Sequence, residues 1–236
     1  MLILTCPAQL QRLEEALRRS LPLALPVLGA VMNINRGNPG EFEVVVDSWP
    51  HFGAVLARPS REECGFLPGR GRLPGTARDP RLPALGHRLP HLCTLPEPRL
   101  DPDVRVGSLS PAHVDLLNET WAYGGNNRSR RYLAELLGRF PNVCLQDRAG
   151  QPLCWVLTDA FGTGTHSYTL PAHRRHGHMR AVLALAARRA QARGFPTFGH
   201  TATGNRPMQR LQEELGHRQV PELCRFVLHN PGLGRD

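Results

Sequence analysis

Residues 168–193 constrain the fold more than any other stretch of this chain. Tyr168-Thr169-Leu170 is a short β-type run that stops at Pro171. A basic turn, His173-Arg174-Arg175-His176-Gly177-His178, then leads straight into an alanine-rich segment that runs to about Arg193. Within it Met179, Val182, Leu183, Ala186 and Ala190 recur at helical spacing and form one apolar face. Gly194 and Pro196 mark its end. A one-sided helix entered directly from a strand must lie on a sheet, so the segment predicts a mixed α/β (α+β) architecture. The basic turn adds a second expectation. A helix N-terminus carries unpaired N–H donors and a partial positive charge, which suit a phosphate or pyrophosphate.

Elsewhere the pattern divides the chain in three. Residues 1–59 open with a helix from Thr5-Cys6-Pro7, carrying Leu10, Leu13 and Leu17 at helical spacing. A β-hairpin is expected next, from Val27–Ile34 through an Asn/Gly/Pro turn to Glu41–Val46, with a third strand at Phe52–Ala57. Residues 60–106 carry eight prolines and eight arginines with little apolar periodicity. Such a stretch is expected to be disordered or loosely packed. Residues 107–236 recover a regular pattern. Helices are expected at Ser110–Glu119, Ser129–Arg139 and Pro207–Leu215. Strands are expected at Asn142–Gln146, Pro152–Thr158, His166–Leu170 and Phe198–Ala202.

The formal net charge of +9 comes entirely from arginine, because the chain contains no lysine. The arginines are scattered from Arg12 to Arg235 in runs no longer than two. That spread fits a polyanion-binding face poorly, so nucleic acid is not the expected partner. Six widely spaced cysteines without a Cys-x-x-Cys pair argue against a zinc centre and against a disulfide-stapled domain. No apolar run approaches the ~20 residues that span a bilayer. Gln9, Glu14 and Glu15 interrupt the N-terminus too early for a secretory signal, and the acids are unusual in a mitochondrial presequence.

Several strings taken together resemble the glycine N-acyltransferase family of the GNAT superfamily. They are Gly29-Ala30-Val31-Met32-Asn33-Ile34-Asn35-Arg36-Gly37-Asn38-Pro39, Val46-Asp47-Ser48-Trp49-Pro50, Trp121-Ala122-Tyr123-Gly124-Gly125-Asn126-Asn127-Arg128-Ser129, Phe140-Pro141 and Arg193-Gly194-Phe195-Pro196. The basic turn resembles the Arg-x-x-Gly-x-Gly/Ala loop with which GNAT enzymes cradle the pyrophosphate of coenzyme A, with Met179 where a small residue is usual. The likeness covers about residues 1–58 and 107–228. It implies a GNAT acyltransferase fold in the C-terminal half, preceded by a truncated N-terminal domain. Residues 60–106 replace a longer helical segment of the family, through either a shortened domain or a mis-joined one. It also implies transfer of an acyl group from acyl-CoA, as co-substrate, to the amine of glycine. No metal is implied, and a monomer without a membrane span is expected. Mitochondria are the implied location, with the cytoplasm as alternative.

On this resemblance the acyl carrier is held by the backbone of Thr169 and Leu170, by the turn Arg174, Arg175, His176, Gly177, His178, Met179 and Arg180, and by Asn205 before the last helix. The family's proposed base is a glutamate, and ungapped alignment puts Thr163 at its position. Threonine is no base near neutral pH, which leaves a non-catalytic acyl-CoA binder as the alternative function. His166 is the substitute candidate, because histidine titrates near neutrality. Strand alternation puts it on the same face as Tyr168, a candidate proton donor to the thiolate, with Ser167 opposite. A purely structural histidine is the competing reading. His200 is a second candidate and Asp159 a minor one. Gly124-Gly125 is expected to form a tight turn or a close backbone approach near the acceptor, with a purely structural loop as the competing reading.

Overall fold

The computed structural model describes residues 1–60, 84–89 and 98–220. The N-terminal part consists of β1 (Leu2–Leu4), α1 (Pro7–Arg19), α2 (Leu25–Asn35), β2 (Phe42–Val46) and β3 (Val55–Pro59). Helix α1 forms as its sequence predicts, with Pro7 in its first turn and Leu10, Leu13 and Leu17 buried. The expected hairpin does not form. Residues 27–34 lie within helix α2, and β2 pairs with β1 on one side (Leu2↔Val46) and β3 on the other (Val45↔Leu56). The stretch is apolar on all sides, a pattern shared by a buried strand and a buried helix. Leu25, Leu28, Gly29, Ala30, Val31, Met32 and Asn33 are all buried, and Pro26 sits in the first turn, where its missing N–H costs nothing.

The remaining strands make one seven-stranded sheet in the order β10-β4-β9-β8-β7-β6-β5. They are β4 (Ala84–Leu89), β5 (Arg105–Gly107), β6 (Asn142–Gln146), β7 (Pro152–Thr158), β8 (Gly164–Thr169), β9 (Thr197–Ala202) and β10 (Arg218–Val220). Helices α3 (Val114–Thr120) and α4 (Asn127–Arg139) cover one face, packing Leu117, Leu133, Leu136 and Leu137 against Trp155 and Leu157. Helix α5 (His178–Ala192) covers the other, packing Ala181 and Val182 against Val143, Leu145, Cys154 and Val156. Helix α6 (Arg206–Glu214) follows β9. The mixed α/β architecture expected from residues 168–193 is thus realised around α5.

One strand, β4, falls wholly inside the segment expected to lack structure, and β5 begins inside it at Arg105. β4 lies between β9 and β10, antiparallel to both. Main-chain pairing on two edges holds it, and such pairing requires no apolar alternation. Residues 61–83 and 90–97, to which the same expectation applied, lie outside the described residues.

The N-terminal part is locked onto the sheet at one point. Gly29 of α2 comes so close to the β7–β8 turn that a Cβ built on it would lie 1.8 Å from the Phe161 carbonyl oxygen. Asn33, one turn on, donates to the Ala160 carbonyl at 2.8 Å. At the far end of the contact the Phe195 ring receives the guanidinium groups of Arg36 and Arg193, 5.3 and 5.2 Å from its centroid. Because backbone, not a flexible side chain, blocks the Cβ, Gly29→Ala is expected to cost about 2–3 kcal/mol. A thermal melt lowered by roughly 5–10 °C would show it, and an unchanged melting temperature would show that the contact is not tight in solution.

Candidate active site

The site is organised by a defect in the sheet. Between Trp155↔Tyr168 and Leu157↔Thr165 the β7–β8 ladder advances two residues on β7 and three on β8. The extra residue is a β-bulge, which bends its strand and sharpens the local twist. His166 sits in it with φ 49°, a left-handed conformation rare for a residue bearing a Cβ. On its other edge β8 runs parallel to β9 and pairs with it at a single register position, Gly164↔Gly199. A Cβ on Gly199 would lie 3.0 Å from the Gly164 carbonyl oxygen, so the strands touch there and then part.

Their divergence leaves a cavity of about 140 Å3 whose walls include Val156, Ser167, Leu183, His200, Asn205 and Gln212. The Leu170 N–H donates to Leu153 of β7 at 3.0 Å, and Arg174 Nε donates to the Thr169 carbonyl at 3.1 Å. These bonds occupy two of the backbone groups expected to hold a carrier arm. By alternation the backbone N–H and C=O of Ser167 point to the cleft. Ser167 was not among the expected site residues; the parting of β8 from β9 that exposes it leaves no mark in the amino-acid pattern.

Beyond the cleft β8 ends at Thr169, and a single 3-10 turn leads to the start of α5. Arg175 (φ 68°) and Gly177 (φ 75°) are both left-handed. Gly177 is the N-cap, no side chain caps the helix, and its first turn contains no acidic residue. The N–H groups of the first turn are therefore open to an anion, with the exposed Arg174, Arg175 and His176 beside them. Not every residue of the turn faces outward. Met179 packs on the sheet and His178 is buried, pulled below its ordinary pKa by burial and by the nearby His176. Arg180 pairs with Glu214 of α6 and so ties together the two helices that flank the cleft. Asn205 does cap α6, accepting from the Met208 N–H at 3.3 Å, while also lining the cavity.

On the opposite face of β8 the side chains of His166 and Tyr168 point toward α3 and α4, as alternation predicts despite the bulge. The His166 ring lies 4.4 Å from Trp121 and 5.7 Å from Tyr132. Its Nδ1 is 2.9 Å from Thr165 Oγ1, and its Nε2 is buried without a hydrogen-bond partner. Burial pulls its pKa down to about 4, so the ring is neutral near pH 7. Tyr168 lies against Trp155 at 5.5 Å, and its hydroxyl accepts from Arg174 at 3.3 Å. The loop bearing Trp121 is set by Gly124, where a Cβ would meet the Asn118 carbonyl oxygen at 2.1 Å, and by Gly125 at φ 87°. Both glycines of that string are required by the backbone. Thr163 is buried in the β7–β8 turn, where its N–H donates to Asp159 Oδ1 at 2.9 Å. Burial raises Asp159 to about 6 against its hydrogen bonds from Thr163 and Phe161. Its charge, added to burial, also raises the Tyr132 phenol.

Two family models for aralkyl acyl-CoA:amino acid N-acyltransferases match the chain, the N-terminal one over residues 1–65 and 86–141 and the C-terminal one over 143–226. The chain belongs to the aralkyl acyl-CoA:amino acid N-acyltransferase family. Within this family it is 28% identical to glycine N-phenylacetyltransferase of Bos taurus, over 91% of this chain and 94% of that protein. It is 27% identical to glycine N-acyltransferase of Homo sapiens, over 94% and 96%. A solved Drosophila protein shares the fold with a TM-score of 0.54 at 18% identity, over 59% of this chain and 48% of that one. The N-terminal family model resumes at residue 86, where β4 lies, and ends at 141, just before β6. The boundary between the two family models thus falls within the large sheet.

His166 and Asp159 pull acid stability in opposite directions. His166 is depressed from 6.5 to about 4, so from pH 4 to 6.5 the unfolded chain binds the extra proton and stability rises with pH. Asp159 is raised from 3.8 to about 6, so from pH 3.8 to 6 the folded chain binds it and stability falls with pH. Melting temperatures between pH 4 and 6.5 should climb more steeply in Asp159→Asn than in the parent chain, and less steeply in His166→Gln. Parallel curves for all three proteins would contradict these shifts.

Proposed function

We propose that this family member transfers an acyl group from coenzyme A to the amine of an amino acid, with glycine as the acceptor. The observation that carries the reading is the single-pair junction of β8 and β9, opening toward the uncapped N-terminus of α5. An extended carrier arm fits between parted strands, and an anion fits the unpaired N–H groups with Arg174 and Arg175 beside them. The aralkyl chemistry in the family's description and the phenylacetyl group in the name of the bovine relative make an arylacetyl thioester a sensible first substrate.

In this reading the acceptor approaches from the side of Trp121, Tyr132, His166 and Tyr168. Its nitrogen attacks the thioester carbonyl carbon and the C–N bond forms. The carbonyl oxygen takes up negative charge beside backbone donors such as the Ser167 N–H. The attacking nitrogen then gives its extra proton to solvent, and collapse of the adduct breaks the C–S bond and releases coenzyme A as its thiolate. A ring with a pKa of about 4 is a weak proton acceptor. We therefore assign His166 the orientation of an amine that arrives already deprotonated, its proton having passed to solvent. The reaction in this form needs no metal.

Release of free thiol from phenylacetyl-CoA is expected to depend on glycine and to climb steadily from pH 6.5 to 9. His166→Ala should lower kcat/KM about tenfold at every pH without changing that slope. A slope abolished by the substitution would instead make His166 the base. Replacing both Arg174 and Arg175 by alanine should raise KM for the thioester by about tenfold or more, the size of a charge-assisted hydrogen bond or two.

Thr163 supports a second reading, an acyl-CoA binder without turnover. It is buried where the family resemblance places a carboxylate, and its hydroxyl does not ionise near neutral pH. Tight binding of phenylacetyl-CoA with no glycine-dependent thiol release over the same pH range would establish that reading in place of the first.

A further inference from the structure

The cleft contains a buried amide whose hydrogen-bonding capacity is only half used. Gln212 of α6 is 7% exposed and forms part of the cavity wall. Its Oε1 accepts from Thr201 Oγ1 on β9 at 2.8 Å, and Thr201 is itself 5% exposed. With the oxygen so engaged, the Nε2 end of the amide carries two N–H donors that meet no acceptor among the described residues. The neighbouring Gln209 shows the contrast. It is buried too, and its Nε2 donates to both the Ala202 and the Thr203 carbonyls at 2.9 Å. Donors left open on an otherwise buried amide are available to a ligand, and here they face the cavity, not packed side chains.

We infer that Gln212 donates a hydrogen bond to a carbonyl oxygen of an acyl-CoA lying between β8 and β9, and that Thr201 positions it to do so. This rests on the cleft being the acyl-CoA site. Two kinds of carbonyl oxygen reach such a cleft, that of the thioester and those of the amides along the carrier arm. An amide N–H does not give up its proton near neutral pH. Gln212 therefore polarises an oxygen or holds the arm in place, and the thiolate departs without a proton from it.

The test compares the parent chain with Gln212→Met, Gln212→Glu and Thr201→Val. It measures the Kd for phenylacetyl-CoA by calorimetry without glycine, and kcat with glycine. Gln212→Met keeps the length of the side chain and loses the donors. A loss of about tenfold in kcat with unchanged Kd identifies the oxygen as the thioester's. A loss of about tenfold in affinity with unchanged kcat identifies it as an arm amide's. Either result upholds the donor.

Gln212→Glu retains the size and the bond from Thr201, but it donates only while its carboxyl is protonated. Its defect should shrink toward pH 5 and grow as the pH rises, which a merely structural role would not produce. Thr201→Val should cause a smaller loss of the same kind, about threefold, and with Gln212→Glu it serves if Gln212→Met fails to fold. Parental Kd and kcat in a folded Gln212→Met would overturn the role. So would a Gln212→Glu defect of constant size at every pH. A parent chain that does not bind phenylacetyl-CoA overturns the cleft reading first, and this role with it.

Discussion

The single register pair that joins β8 to β9 is the constraint on which the site depends. A parallel pair of strands normally continues its ladder, because each unpaired N–H or C=O that is buried carries a cost. Here the ladder stops after Gly164↔Gly199, and the bulge at His166 accounts for the stop by bending β8 away. Backbone groups that would have closed the sheet are left facing a gap. The energy not recovered in strand pairing is thus available to a ligand. A left-handed φ at a residue with a Cβ is a strain that the surrounding structure must enforce. Trp121 and Tyr132 on one side, and the rest of the β7–β8 ladder on the other, supply that enforcement.

A second constraint connects the two halves of the chain. Helix α2 reaches the β7–β8 turn through a position where only glycine fits, and Asn33 fixes that turn by its Ala160 carbonyl. The same turn carries Asp159 and Thr163, and β8 begins directly after it. The N-terminal part therefore braces the strand that bears the bulge. Glu14 shows how firmly that part is tied internally. Burial alone would raise its carboxyl, yet Arg36, Asn35 and Arg18 hold it below its ordinary range, linking α1 to α2.

How much of this was legible beforehand varied with the physics of each element. The helices α1, α4, α5 and α6 and the strands β6, β7, β8 and β9 follow from periodicity and from their stop residues, because an apolar face or alternation is written directly in side-chain order. Helix α2 was not legible. A run that is apolar on every side carries no period, so only its neighbours decide between helix and strand. Strand β4 was hidden for the opposite reason, since its place comes from main-chain bonds to β9 and β10 and owes nothing to a side-chain pattern. In the site, the turn at Arg174–Gly177 and the cap at Asn205 were visible as local motifs. Ser167, Thr201 and Gln212 were not, because their relevance depends on which strands part and which helix flanks the gap.

The sequence by itself determined that a one-sided helix after a basic turn must lie on a sheet, and that the turn would present helix N–H groups suited to a phosphate. Its longer strings also carried the family. Local rules suffice for these, because capping, periodicity and turn chemistry act within a few residues. Only the tertiary structure decided that β8 and β9 part beyond Gly164↔Gly199, and that His166 is neutral and buried among aromatic rings. The closeness of α2 to the turn before β8 was likewise settled in three dimensions. Each of these depends on residues far apart in the chain, and burial, desolvation and close backbone approach exist only once those residues meet.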